Sequence, residues 1–220
     1  LAYVPELKLL LTEFLDGQLL ADQLYRGDTA KAAARMGSAL AALHRADVTC
    51  AKRWSFEREV SNALKTCAEA GLDDERPAQL MMQARALMAS QPVAREVAVH
   101  RDYYVDQLFD LNGVTALFDL DDARQGDPAL DVGNFLAHLT LRPWQFPELA
   151  EACAAARAPF LEAYLQHAPG DRTLLQRVQI YQATSLVRLV GVYSHRPRWA
   201  DRLTAPLLEA ADVALCREDS

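Results

Sequence analysis

VHRDYYVDQLFDLNGVTALFDLDD, residues 99–122, decides the fold. Asn112-Gly113 stands between two apolar runs, LFDL and VTALF. Both turn residues tolerate positive φ, so the pair predicts a two-residue β-hairpin over 108–118. The loop length fixes the register: Leu111 faces Val114, and Gln107 falls opposite Phe118. Folding the span back brings Asp106-Gln107 beside Asp119, about 5 Å from strand to strand. Strict alternation puts Gln107 and Asp119 on opposite faces, so the pairing has to loosen there if both are to reach one ion. An apolar span thus gathers polar side chains at its open end.

Outside the hairpin the pattern is mainly helical, which makes the chain mainly α with a small β-hairpin, an α+β fold. Met36, Leu40 and Leu43 recur at helical spacing, with Asp28 or Thr29 as the cap. Phe56, Val60, Leu64 and Cys67 mark a second helix that stops at Gly71, and Pro77 opens a third that runs to the break before Pro92. Later helices cover roughly 128–140, 147–167, 172–192 and 203–216. Residues 7–15, LKLLLTEFL, read as a buried strand or strand end. His44 is expected at a helix terminus, facing the last carbonyls. His138, His167 and His195 lack ligand spacing and read as structural. Asp106 and Asp122 read as solvated acids, and Tyr103, Tyr104, Trp144 and Trp199 as core packing.

Composition narrows the chemistry. The 220 residues are enough for one domain with a real core, and 51% are apolar. The four cysteines form no C-x-x-C pair, which fits reduced thiols in a cytoplasm. A net charge of −7 argues against a nucleic-acid partner, and no apolar run reaches membrane-span length. The glycines are too widely spaced for G-x-G-x-x-G or a Walker loop, and neither G-x-S-x-G nor H-E-x-x-H occurs.

In GDPALD, residues 126–131, Asp127 and Pro128 open a helix as cap and first residue. Asp131 lies beyond the cap among apolar neighbours, where a carboxylate needs hydrogen-bond partners. Taken in order, LTEFLDG, MGSALAALHRAD, H-x-D-x-x-x-x-Q, the hairpin with D-x-D, and G-D-P-A-x-D resemble aminoglycoside phosphotransferases and related small-molecule kinases. The resemblance spans roughly residues 9–140 and implies the C-terminal lobe of a protein-kinase-like fold.

That resemblance implies a phosphotransferase carrying the γ-phosphoryl group of ATP or GTP to a hydroxyl of a small molecule, with an aminoglycoside one such acceptor. Asp102 then orients the acceptor hydroxyl and takes its proton. Gln107, where the family usually has asparagine, and Asp119 are the Mg²⁺ ligands; oxygen donors suit a hard cation. Glu13 and Leu15 meet adenine through their backbone at the hinge. His100 and Asp131 hold the loop, Asp127 supports the following helix, and Asp121 either adds to the metal site or supports it.

The same resemblance implies an N-terminal lobe with a phosphate-contacting lysine, for which Lys8 is out of place. Residues 1–16 then correspond to a remnant of that lobe's strand and hinge, and 17–220 to the helical lobe. The chain is expected to be a piece of a longer phosphotransferase. The alternative is a naturally shortened, inactive kinase-like binding module.

Overall fold

The computed structural model describes residues 2–11, 14, 16–72, 75–168, 171 and 173–216. An antiparallel pair opens the chain, β1 (Ala2–Val4) with β2 (Leu9–Leu11), followed by the short β3 (Gln18–Leu19). Four helices come next: α1 (Leu20–Arg26), α2 (Thr29–Arg45), α3 (Phe56–Glu69) and α4 (Glu75–Ala89). The middle of the chain holds β4 (Val97–Val99), β5 (Leu108–Leu111), β6 (Val114–Leu117) and β7 (Arg124–Gly126). Four more helices complete it: α5 (Ala129–Gln145), α6 (Ala150–His167), α7 (Leu174–Ser194) and α8 (Ala200–Cys216). The fold is mainly helical, with a few small antiparallel strand pairs. Among the described residues no helix is long and apolar enough to cross a membrane.

The predicted hairpin forms in the predicted register, Leu111 against Val114 and Leu108 against Leu117. Asn112 and Gly113 both take positive φ, 52° and 93°. β3 adds to its free side, pairing Leu19 with Phe109. β4 and β7 pair separately, Val99 with Arg124, and so bring the segment before His100 against the segment before Asp127. The β4–β7 ladder therefore brackets residues 100–123, with the hairpin inside that span.

Helix starts follow the local chemistry. Asp28 accepts from the Lys31 amide at 3.0 Å, and Ser55 from the Arg58 amide at 3.3 Å. Gly71 ends α3 with φ of 69°. One cluster packs α1, α2, α5 and α6 around Met36, Tyr103, Phe135 and Phe160; a second packs α3, α4, α7 and α8 around Val60, Met81, Val187 and Leu207. α5 is buried nearly all round because it lies between them. A Cβ at Gly133 would stand 2.7 Å from the Gln182 backbone nitrogen, so α5 and α7 cross backbone to backbone.

Two expectations are corrected. β2 is a three-residue strand with Leu9 and Leu11 44% and 50% exposed, so the described part of 7–15 is not a buried strand. Its ladder partner is β1, itself mostly exposed, so apolar composition here does not mean burial. α5 runs to Gln145, past the expected end near 140 and through Pro143. Buried Leu141 and Gln145 hold that last turn against the helix-breaking proline.

Candidate active site

The loop after β4 hangs from one carboxylate. Asp131, fully buried in the first turn of α5, accepts the backbone N–H of His100 through Oδ2 and that of Arg101 through Oδ1, each at 2.7 Å. His44 Nε2 lies 3.0 Å from the same Oδ2, and His44 Nδ1 lies 2.9 Å from the Tyr164 hydroxyl. This is the partner set that a buried carboxylate among apolar residues requires. It corrects the expectation for His44, which faces this carboxylate instead of the terminal carbonyls. The imidazole is buried between Asp131 of α5 and Tyr164 of α6, away from solvent.

His100, also fully buried, sets the loop against the hairpin exit. Its Nε2 stands 2.7 Å from the Phe118 carbonyl oxygen, and its Nδ1 accepts from the Asp102 amide at 3.3 Å. A carbonyl only accepts and an amide N–H only donates, so these partners assign a neutral ring with its proton on Nε2. Arg101 takes φ of 74°, a backbone state disfavoured for a non-glycine residue and held by its bond to Asp131. Its guanidinium lies 3.4 Å from the Trp54 ring centroid. Asp102 follows with its carboxylate 43% exposed, reachable from outside and 3.6 Å from Arg188 Nη2.

Gln107 and Asp119 meet, as the hairpin register and a loosened end require. The Phe118 amide donates to the Gln107 carbonyl at 3.0 Å; the ladder then stops, and Asp119 turns to φ of 59°. Aspartate is among the few residues that tolerate this left-handed state. The turn removes the alternation that would send the two side chains apart. Gln107 Nε2 comes within 3.3 Å of Asp119 Oδ2. Among the described residues no three His, Cys, Asp or Glu side chains form a metal cage. The pair supplies one carboxylate and one side-chain amide, donor types that a hard cation takes alongside phosphate and water, with the Gln107 nitrogen and not its oxygen turned to Asp119.

The remaining acids have varied settings. Asp121 is exposed on the turn after Asp119. Asp127 caps α5 through the Ala129 amide at 3.0 Å and also accepts Arg177 Nε at 2.8 Å. Asp106 pairs with Arg142, and Asp122, still 68% exposed, pairs with Arg124 and Arg101. Glu13 and Leu15 lie outside the described residues. Tyr103 is core, its hydroxyl donating to the Met36 carbonyl at 2.6 Å, and Tyr104 stacks on buried His138 at 4.4 Å. Burial, reinforced by Arg188 and Arg142, holds the His138 ring well below the usual histidine range.

Sequence patterning missed Arg188 beside Asp102, and Asn134, Glu59 and Trp54, which contact Arg188 or the neighbouring loop residues. A single arginine in SLVRLV is the only local sign of the first.

Residues 1–175 match the phosphotransferase enzyme family, and the chain belongs to it. No curated protein matches by sequence. Among solved structures, a choline/ethanolamine kinase family protein from Mesorhizobium loti superposes with a TM-score of 0.68 at 17% identity, over 98% of this chain and 77% of its own. A structure described as a putative aminoglycoside phosphotransferase from Ralstonia eutropha JMP134 gives 0.67 at 19% identity, over 94% and 73%. An amicoumacin kinase in complex with AMP-PNP, Ca²⁺ and Ami gives 0.58 at 17% identity, over 92% and 63%. At these identities the likeness establishes the kinase-like fold.

Proposed function

We propose that the full-length protein transfers the γ-phosphoryl group of ATP or GTP to a hydroxyl of a small molecule. The observation that carries this reading is the double tether of the Asp102 loop. Asp131 holds it to α5, and His100 holds it to Phe118, next to the Gln107–Asp119 pair. A partly exposed carboxylate and an oxygen-donor pair are thereby fixed to one frame. Phosphoryl transfer needs this kind of positioning more than covalent help.

In the proposed reaction Asp102 orients the acceptor hydroxyl and accepts its proton as the oxygen bonds to the γ-phosphorus. The bond to the β–γ bridging oxygen breaks, and the nucleoside diphosphate leaves. Gln107 and Asp119 would hold Mg²⁺, which when bound neutralises phosphate charge. Asp121 stands close enough in sequence to support them. Residues 1–16 are proposed as the hinge side of an N-terminal lobe, with backbone groups of Glu13 and Leu15 facing adenine, and 17–220 as the helical lobe. Four free cysteines suit a cytoplasmic setting.

The test is phosphate transfer by the full-length protein across a broad panel of hydroxyl acceptors, aminoglycosides, amino alcohols and sugars included. Asp102→Asn should abolish turnover while leaving nucleotide affinity within about threefold. Turnover at the wild-type level in that variant rejects the assignment. Nucleotide binding with no transfer to any acceptor would make the protein a kinase-like binding module.

A further inference from the structure

The contact that reaches the Asp102 carboxylate comes from α7, far along the chain. Arg188 Nη2 lies 3.6 Å from Asp102 Oδ1, with the arginine side chain 16% exposed. The guanidinium is itself tied down. It donates to Asn134 Oδ1 at 2.8 Å, and its Nε lies 3.7 Å from Glu59 Oε1. Asn134 in turn donates to the Tyr103 carbonyl at 3.1 Å, within the catalytic loop. Glu59 is buried, and its other oxygen accepts Trp54 Nε1 at 2.8 Å. Trp54 carries the guanidinium of Arg101, the residue before Asp102. Contacts therefore run from Asp102 through Arg188, Glu59 and Trp54 back to Arg101, closing a ring around the loop.

Neutralising buried Glu59 alone would explain an arginine on α7, but it would not require a second carboxylate at similar range. Arg188 stands between Glu59 at 3.7 Å and Asp102 at 3.6 Å while its hydrogen bond goes to Asn134. The planar guanidinium can face three partners at once, which a single ammonium cannot. With Oδ1 of Asp102 turned toward this group, Oδ2 is the oxygen left for an acceptor.

We propose that Arg188 is a positioning residue for phosphoryl transfer: it fixes Asp102 Oδ1 so that Oδ2 meets the acceptor hydroxyl, with Asn134, Glu59 and Trp54 holding the arginine in place. The inference rests on Asp102 acting as proposed above. A residue of this kind governs kcat and leaves nucleotide binding alone.

The experiment is steady-state kinetics with thermal melting on the full-length protein: wild type, Asp102→Asn, Arg188→Met, Arg188→Lys and the double variant Glu59→Gln/Arg188→Met. The double variant removes both buried charges, so it tolerates the loss of the arginine where Arg188→Met alone strands Glu59. Arg188→Met, if folded, and the double variant should each lose about 100-fold in kcat, the scale of a misplaced reacting group. Nucleotide KM should stay within about threefold. Arg188→Lys should recover part of the loss. A folded double variant with wild-type kcat, beside an inactive Asp102→Asn, overturns the inference and leaves the phosphotransfer reading standing. An Asp102→Asn variant as active as wild type, or a wild type silent on every acceptor, overturns that reading and this inference with it.

Discussion

His44 on α2 and Asp131 on α5 meet at 3.0 Å with both side chains fully buried, and the same carboxylate oxygen takes the amide of His100. A helix end is thereby joined to the Asp102 loop through one group. Replacing Asp131 with alanine strands a histidine nitrogen and two loop amides. Losses of this kind cost about 3–5 kcal/mol when a buried partner is removed. Asp131→Ala should therefore lower the unfolding free energy by that amount in denaturant titration. Asp131→Asn, which keeps one acceptor, should cost less. Equal and small effects in both would mean that the loop has another anchor.

Gly113 tests the hairpin without touching the core. It has φ of 93°, and a Cβ added there meets nothing within 4 Å. Any cost of Gly113→Val must therefore come from the backbone, about 1–2 kcal/mol for an L-residue in left-handed space. Gly113→Asn should be milder, since asparagine tolerates that region. The comparison of melting temperatures is the check; indistinguishable values for valine and asparagine would contradict the turn geometry.

The hairpin was readable because Asn112-Gly113 sets its register within four residues. Asp131 was readable because a carboxylate beyond its cap among apolar neighbours demands partners. What those partners are could not be read. His44 precedes Asp131 by 87 positions, and its inward turn depends on how α2, α5 and α6 pack. Arg188, Glu59 and Trp54 were hidden for the same reason: each sits in a helical or loop segment whose own pattern is complete without it. The apolar run also overstated the burial of Leu7, Leu9 and Leu11, because hydrophobicity reports a preference for burial and not the presence of a layer to bury against.

Metal dependence is the direct test of the Gln107–Asp119 pair. ATP or GTP with Mg²⁺, at 100 times its Kd, should stabilise the full-length protein by about 2.7 kcal/mol. Asp119→Ala should lose the Mg²⁺-dependent part, because it removes the carboxylate of the pair. Gln107→Ala should lose less, as an uncharged amide contributes less to a hard cation. Thermal shift with and without Mg²⁺ reads both. A metal-dependent shift that survives in Asp119→Ala would move the metal site elsewhere.

The ion cluster at the start of α7 predicts how stability responds to acid. Arg177, 1% exposed, donates to Asp171 at 2.6 Å, and Thr173 adds its amide at 2.9 Å and its hydroxyl at 3.0 Å. The Arg177 hydrogen bond, with help from Thr173, holds the Asp171 carboxyl below the usual aspartate range. The unfolded chain takes a proton there near pH 3.9, about the ordinary value, while the folded chain takes it only at lower pH. Between those two points acid favours the unfolded state. The stabilisation is therefore complete above about pH 4 and is lost as pH falls through the lower folded value. With Asp171 partly solvated, its worth is about 1 kcal/mol. Asp171→Asn should melt earlier than wild type at pH 7, and the gap should narrow below about pH 4. A gap that stays constant from pH 7 to pH 3 would assign the difference to packing and not to this charge.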